Sequence, residues 1–338
     1  MFRQDRTNPS TAVSTWNARK DLPRANPSTA VSTWTNGGLA SDASFTAFGG
    51  MITQYEDSGT TYRVHAFRGT GNFTVVNGTA DVEYLIVAGG GAGGFGSTFG
   101  GGGGGGGGFR TNVGGTKITV DTASSPYAVV VGAGGLGQTS DGSANAGAAS
   151  SALGVSSSGG GGGGTTSYAA STGGSGGGGA GYTTYKSGAA GNSGSYTPVE
   201  GYAGGDGYNT SNYNGAAGGS AGAVGGNGGA TYAGFRSNGG TGIGITASTK
   251  GYAGGGGGGA GNNGKANTDN NSWGGGSGTN YSAAFNDNPI SGNGDNAQSG
   301  IPNSGGGGGG RAGNTSGSYG NAAGGGGAGI VLIRYEVA

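Results

Sequence analysis

Three glycine patterns invite a nucleotide. Val129-Val130-Val131 leads into Gly132-x-Gly134-x-x-Gly137, and an apolar run ending at Val87 leads into Gly89-x-Gly91-x-x-Gly94. Both have the spacing of a dinucleotide fingerprint after a strand. That chemistry needs a helix whose N-terminus holds the pyrophosphate, and Gln138 to Ala149 is Ser, Gly, Ala and Asn with no apolar face. Gly259 to Lys265 has phosphate-loop spacing, but Ala266 stands where the Mg2+-binding hydroxyl belongs. Asp206 and Asp295 follow glycines as in calcium-binding nonapeptides, which need tandem copies that are missing here. The single histidine, His65, excludes a His pair for a metal, and the lack of cysteine removes thiolate ligands, thiol nucleophiles and disulfides. No cofactor, metal or catalytic role is expected, and His65 itself is expected to pack within or on a strand.

What remains is aromatic. Between residues 165 and 320 stand Tyr168, Tyr182, Tyr185, Tyr196, Tyr202, Tyr208, Tyr213, Tyr232, Tyr252, Tyr281 and Tyr319, joined by Phe235, Trp273 and Phe285. They sit among Ser, Asn and Gly, the mixture that recognition loops favour, because Tyr offers a large amphipathic contact at low entropic cost. Tyr182, Tyr185, Tyr196, Tyr202, Tyr208, Tyr213, Tyr232, Trp273, Tyr281 and Phe285 form the candidate receptor-binding set. The other use of such rings is to cover the glycine body with apolar area.

A second candidate is the leader. Asn8-Pro9-Ser10-Thr11-Ala12-Val13-Ser14-Thr15-Trp16 recurs unchanged as Asn26 to Trp34, eighteen residues later. Each copy is too short to fold alone. Pro9, Val13 and Trp16, then Pro27, Val31 and Trp34, are expected to dock into two equivalent grooves of a partner or a neighbouring copy. A tandem duplication in a slack tail would leave the same trace.

Glycine dictates the elements that must position these groups. The 338 residues include 95 glycines, and Val, Leu, Ile and Phe make up only about an eighth of the chain, too little for an ordinary core. Seven prolines exclude collagen. The 15 basic and 15 acidic side chains balance, which argues against nucleic acid as a partner and against a charge-driven disordered chain. No apolar run reaches the length of a membrane span.

Four zones follow: a leader at 1–35, a strand region at 36–88, a glycine body at 89–329 and a closing strand at 330–338. Strand signals are strongest at Tyr62–Phe67, Asn72–Val76, Asp81–Ala88 and Ile330–Val337, with further ones at Lys117–Val120, Tyr127–Val131 and Ser151–Val155. The similar runs at either end of the glycine body are expected to pair in one antiparallel sheet. The body holds pure runs such as Gly100–Gly108, Gly159–Gly164, Gly254–Gly259 and Gly305–Gly310. They suit polyglycine helices of the polyproline II kind, about 3.1 Å per residue, which lack internal hydrogen bonds and must bond sideways. The expected class is all-β with an irregular glycine-rich body: a small antiparallel β-sandwich clamping a polyglycine II bundle, with almost no α-helix.

The ordered set Phe67–Val75, Val82–Gly94, Tyr127–Gly135 and Gly329–Tyr335 resembles the glycine-rich domain of bacteriophage tail proteins over roughly residues 60–338. It is similar in principle to the distal adhesins of T-even-like phages, whose end loops bind the host surface, although the duplicated leader departs from them. The resemblance implies a non-enzymatic virion protein in a tail fibre or tail tip. Its partners would be other virion proteins through 1–35 and a host surface glycan or outer-membrane protein, with a homotrimer as one possible assembly. A capsid decoration or fibre protein held by the leader is the alternative.

Overall fold

A computed structural model describes residues 45–97, 99–182, 184, 187–210, 213–230, 233, 240–241, 251–259, 274–278, 297–313 and 322–337. The leader, with Pro9, Val13, Trp16, Pro27, Val31 and Trp34, lies outside the described residues. No helix occurs among the described residues, and the fold is all-β with several antiparallel sheets.

The longest sheet runs β2 (Met51–Asp57), β3 (Thr60–Phe67), β13 (Ile330–Glu336), β5 (Thr79–Val87) and β6 (Phe109–Thr111), and β7 (Ile118–Asp121) pairs with the first half of β5. The two ends of the glycine body therefore meet: Ile330 lies opposite Val87 and Ile333 opposite Tyr84. Period-two alternation gives these central strands two buried faces. Val82, Tyr84, Ile86, Val331, Ile333 and Tyr335 point into a core shared with a second sheet of β1 (Thr46–Phe48), β4 (Gly71–Asn77) and β8 (Tyr127–Val129), whose Ala47, Phe73, Val75 and Val129 complete it. That is the sandwich. On the opposite face Leu85, Val87, Ile330 and Leu332 pack on Tyr252 and Ala253. Those two residues belong to the glycine body, where β11 (Gly240–Thr241) pairs with β12 (Gly251–Tyr252).

One ion pair is buried on that second face. Arg334 Nε donates to Glu83 Oε2 at 2.6 Å, the guanidinium also reaches the Tyr55 hydroxyl, and it lies 4.4 Å from the Tyr62 ring centroid. The expected strand at Ser151–Val155 is instead a hairpin, β9 (Ser150–Ala152) and β10 (Val155–Ser157). Leu153 and Gly154 both adopt positive φ, 54° and 77°, which reverses the chain in the two-residue turn that matches strand twist.

The glycine body is bonded sideways with a three-residue recurrence. In Gly100–Gly108, the amides of Gly100, Gly103 and Gly106 donate to Tyr213, Ala216 and Gly219. Those of Gly101, Gly104 and Gly107 donate to Arg311, Gly308 and Gly305, and those of Gly102, Gly105 and Gly108 to Gly164, Gly161 and Ser158. Its carbonyls accept in the same rhythm from segments 175–181, 256–259 and 88–94. One segment is thus ringed by six others. Segment 88–94 is ringed likewise, and its amides go in turn to 102–108, 145–148 and 324–327.

Such contact leaves no room for a side chain. A Cβ built on Gly104 would fall 2.2 Å from Gly91 O and 2.7 Å from Ala92 O, whereas one on Gly69 meets nothing within 4 Å. Gly104→Ala is therefore expected to cost more than the roughly 1–3 kcal/mol of ordinary overpacking, because the obstacle is backbone. Gly69→Ala is expected to stay within about 0.5 kcal/mol of wild type, as surface changes do. Comparing denaturant midpoints of the two variants checks this.

His65 is fully buried in the sandwich. Its Nδ1 lies 2.8 Å from Gly49 O, its Nε2 3.3 Å from the Tyr335 hydroxyl, and its ring stands edge-on to Phe73. Burial pushes its pKa below the usual 6.5, outweighing the Gly49 hydrogen bond, and Arg63 pushes the same way. The unfolded chain then takes up the proton first as pH falls. The associated stability is fully present above about pH 6.5 and is lost as pH drops toward the folded value, at up to about 1.4 kcal/mol per pH unit. Thermal midpoints measured between pH 7 and pH 5 should fall, and the fall should flatten in His65→Gln. The chain has no other histidine to blur the result.

Candidate functional site

The hydrogen-bond registers place each turn of the glycine body at one of two ends. Segment 88–94 leaves β5 and 100–108 returns to β6, so the turn between them lies remote from the sandwich. Gly181 bonds Gly100, Tyr208 bonds Asn214, and Gly100 bonds Tyr213, which brings Tyr182, Tyr208 and Tyr213 to this remote end. Asn192 bonds Gly174, Phe109 bonds Glu200, and Gly176 bonds Tyr202, which puts Tyr196 and Tyr202 beside the sandwich. The expected receptor-binding set is therefore split between opposite ends. Tyr185, Tyr232, Trp273, Tyr281 and Phe285 lie outside the described residues.

At the remote end the rings converge on Phe99. Tyr182 stacks on it at 4.8 Å between centroids and 10° between planes, and Tyr213 leans on it at 4.5 Å and 46°. Offset and tilted ring pairs of this kind add about 0.5–1.5 kcal/mol beyond area burial. Tyr213 holds a left-handed φ of 49°, which a side chain resists, yet its carbonyl accepts the Gly100 amide and closes the lattice there. All three rings are half-buried, keeping part of each surface in water. Beneath them Arg311 is only 2% exposed. Its guanidinium lies 4.0 Å from the Phe95 ring centroid and donates to Gly96 O. Burial lowers its pKa from the usual arginine value.

Two further turns frame this end. Thr166 Oγ1 accepts from the Ser97 amide at 3.1 Å and the Ser97 hydroxyl at 3.0 Å, tying 165–168 to the Phe95–Phe99 turn and leaving Tyr168 48% exposed. The Ser167 hydroxyl donates to Asp141 Oδ2 at 2.6 Å. Phe95, Phe99 and Arg311 escaped the sequence reading. The signal was present, since Phe95-Gly96-Ser97-Thr98-Phe99 interrupts glycine where the first two glycine segments must reverse.

At the sandwich end the aromatic groups have neighbours of another kind. Arg110 covers the Tyr196 ring at 3.8 Å, Tyr252 is 4% exposed in the apolar cluster under the sheet, and Tyr202 is 39% exposed. Glu200 is buried beside them, with Oε2 accepting from the Ser158 amide at 2.8 Å and Oε1 from the Gly194 amide at 3.2 Å. Covering the glycine body and presenting rings to solvent are both in evidence, by different tyrosines.

Four of the six fingerprint glycines spend their amides on partners within the protein. Those of Gly89, Gly91 and Gly94 donate to Ala148, Gly105 and Gly102, and that of Gly132 donates to Ser150 Oγ. Asp206 is engaged by a neighbouring segment, accepting from the Gly188 amide at 2.8 Å. Among the described residues no group of three His, Cys, Asp or Glu gathers to hold a metal.

No curated protein matches the sequence. The family model described as a glycine-rich domain matches residues 64–336, from β3 to the last residue of β13 and so across the whole bundle between them. The chain belongs to this glycine-rich domain family.

Proposed function

We propose that the chain is a bacteriophage virion structural protein, a tail-fibre or tail-tip adhesin whose glycine segments are polyglycine II helices. The observation that carries this reading is the gathering of Phe99, Tyr182 and Tyr213 into one half-exposed stack at the end of the bundle remote from the sandwich. Rings held by a lattice lose little entropy on binding. Their faces suit the apolar faces of sugars or the loops of an outer-membrane protein. The three-residue recurrence of lateral hydrogen bonds supports polyglycine II geometry, which has three residues per turn and no internal bonds. The leader, residues 1–35, would mount the chain on other virion proteins. The reading includes no catalysis, cofactor or nucleic acid.

The test is binding of the fluorescently labelled full chain to a panel of intact Gram-negative cells and to purified virions. Tyr182→Ala combined with Tyr213→Ala is expected to weaken cell binding about tenfold or more, since buried aromatic anchors each contribute on the order of 1–2 kcal/mol. Tyr202→Ala, at the opposite end, is expected to leave it unchanged. Cell binding that survives loss of both rings would remove the aromatic end from recognition. Affinity for particles alone, lost on deleting 1–35, would instead make this a decoration protein.

A further inference from the structure

Among the described residues, the sandwich has an unpaired sheet edge that its sequence does little to protect. Strand β2 pairs all seven of its residues with β3, from Met51 opposite Ala66 to Asp57 opposite Thr60, without a bulge. It is the terminal strand of its sheet, and among the described residues nothing pairs with its other rim. Natural edges are blunted by proline, lysine, bulges or shortness. β2 has no proline or lysine and is longer than an average strand. Its start is apolar and exposed, with Met51 at 48% and Ile52 at 43%, beside Phe48 at 55%. Only Glu56 and Asp57, at the far end, would repel an incoming strand.

We propose that β2 is the self-association edge of this protein, joining two copies antiparallel across a twofold axis at Gln54. The charge layout selects this occupant and this orientation. A parallel pair in register would set Glu56 on Glu56 and Asp57 on Asp57, and like charges directly opposite destabilise a ladder. Antiparallel pairing centred on Gln54 uses the full length of the strand. It puts Glu56 across from Ile52 and Asp57 across from Met51 of the second copy, and sets Thr53 against Tyr55, a favourable β-branched and aromatic pair. The acidic end of each copy then lies toward the end of the other's sheet where the exposed Arg68 follows β3, two residues beyond the Ala66 that pairs with Met51. The interface is isologous, so it closes at two copies and needs no further surface. The result is one continuous sheet through both sandwiches.

Because the chain lacks cysteine, a single introduced thiol reports the register. Residues opposite each other in an antiparallel pair have Cα atoms about 4.5–5.5 Å apart, within disulfide range. Gln54→Cys in the full chain is expected to cross-link to a covalent dimer under copper–phenanthroline oxidation at micromolar protein. Glu56→Cys, about 14 Å from its own counterpart in this register, is expected not to. Light scattering on wild type should give twice the 31.6 kDa chain mass. Ile52→Lys with Thr53→Lys should raise the dimer dissociation constant at least tenfold while its thermal midpoint shows that it still folds. A monomer at 100 µM, a trimer, or a dimer in which Gln54→Cys does not cross-link would each overturn the proposal.

Discussion

Everything in this protein depends on backbone amides that bond to other segments and never to their own. An α-helix can satisfy its amides locally, but a glycine segment here satisfies none without neighbours. Gly100–Gly108 needs six of them at once. Each net hydrogen bond is worth roughly 0.5–1.5 kcal/mol against a backbone ordering cost of about 1–2 kcal/mol per residue, with glycine at the expensive end. No segment can order alone. The strands remove much of that cost by fixing where segments begin. Segment 88–94 continues β5 and 132–137 follows β8 closely, 158–164 and 253–259 continue β10 and β12, and 100–108 and 322–329 run directly into β6 and β13. The sandwich fixes the starting points from which these segments enter the lattice.

The same constraint decides where sequence can vary. Inside the lattice a Cβ would strike a carbonyl, as at Gly91, where it would sit 2.1 Å from Gly161 O. Side chains larger than alanine are therefore pushed into the turns at the two ends or onto the outside of the bundle, where Asn145 is exposed. One end is closed by the sheet, with Tyr252 and Ala253 under Leu85 and Leu332. The other is open. Chemical individuality collects there as Phe99, Tyr182, Tyr213 and Tyr168 over a buried Arg311, on a frame whose own residues say almost nothing.

Period two made the sandwich legible. β5 and β13 announce themselves by alternation and pair as their similarity suggested, because each must serve two apolar layers. β2 was passed over because an edge strand with both faces partly wet has no reason to alternate, and Met-Ile-Thr-Gln-Tyr-Glu-Asp does not. The β9–β10 hairpin was read as a single strand because Leu153 gives no hint that it takes positive φ. For the aromatic loops, residue type was readable and placement was not. Tyr182 and Tyr196 are fourteen residues apart and stand at opposite ends, since a traverse and its turn intervene. Turn lengths vary, and only the register reveals on which end a tyrosine lands.

Geometry links the two proposed surfaces. The β2 edge belongs to the sandwich, while the Phe99 stack lies at the remote end of the bundle, so pairing of two sandwiches leaves both aromatic ends free. Two ends on one rigid body convert a second binding event into an intramolecular one, and avidity can then exceed single-site affinity by about 10²–10⁴ without any new contact. A weak aromatic platform of three rings would suffice for firm attachment to a surface that repeats its ligand. The glycine lattice is what makes this workable: a flexible linker would spread its end over many positions, whereas segments bonded on six sides hold theirs.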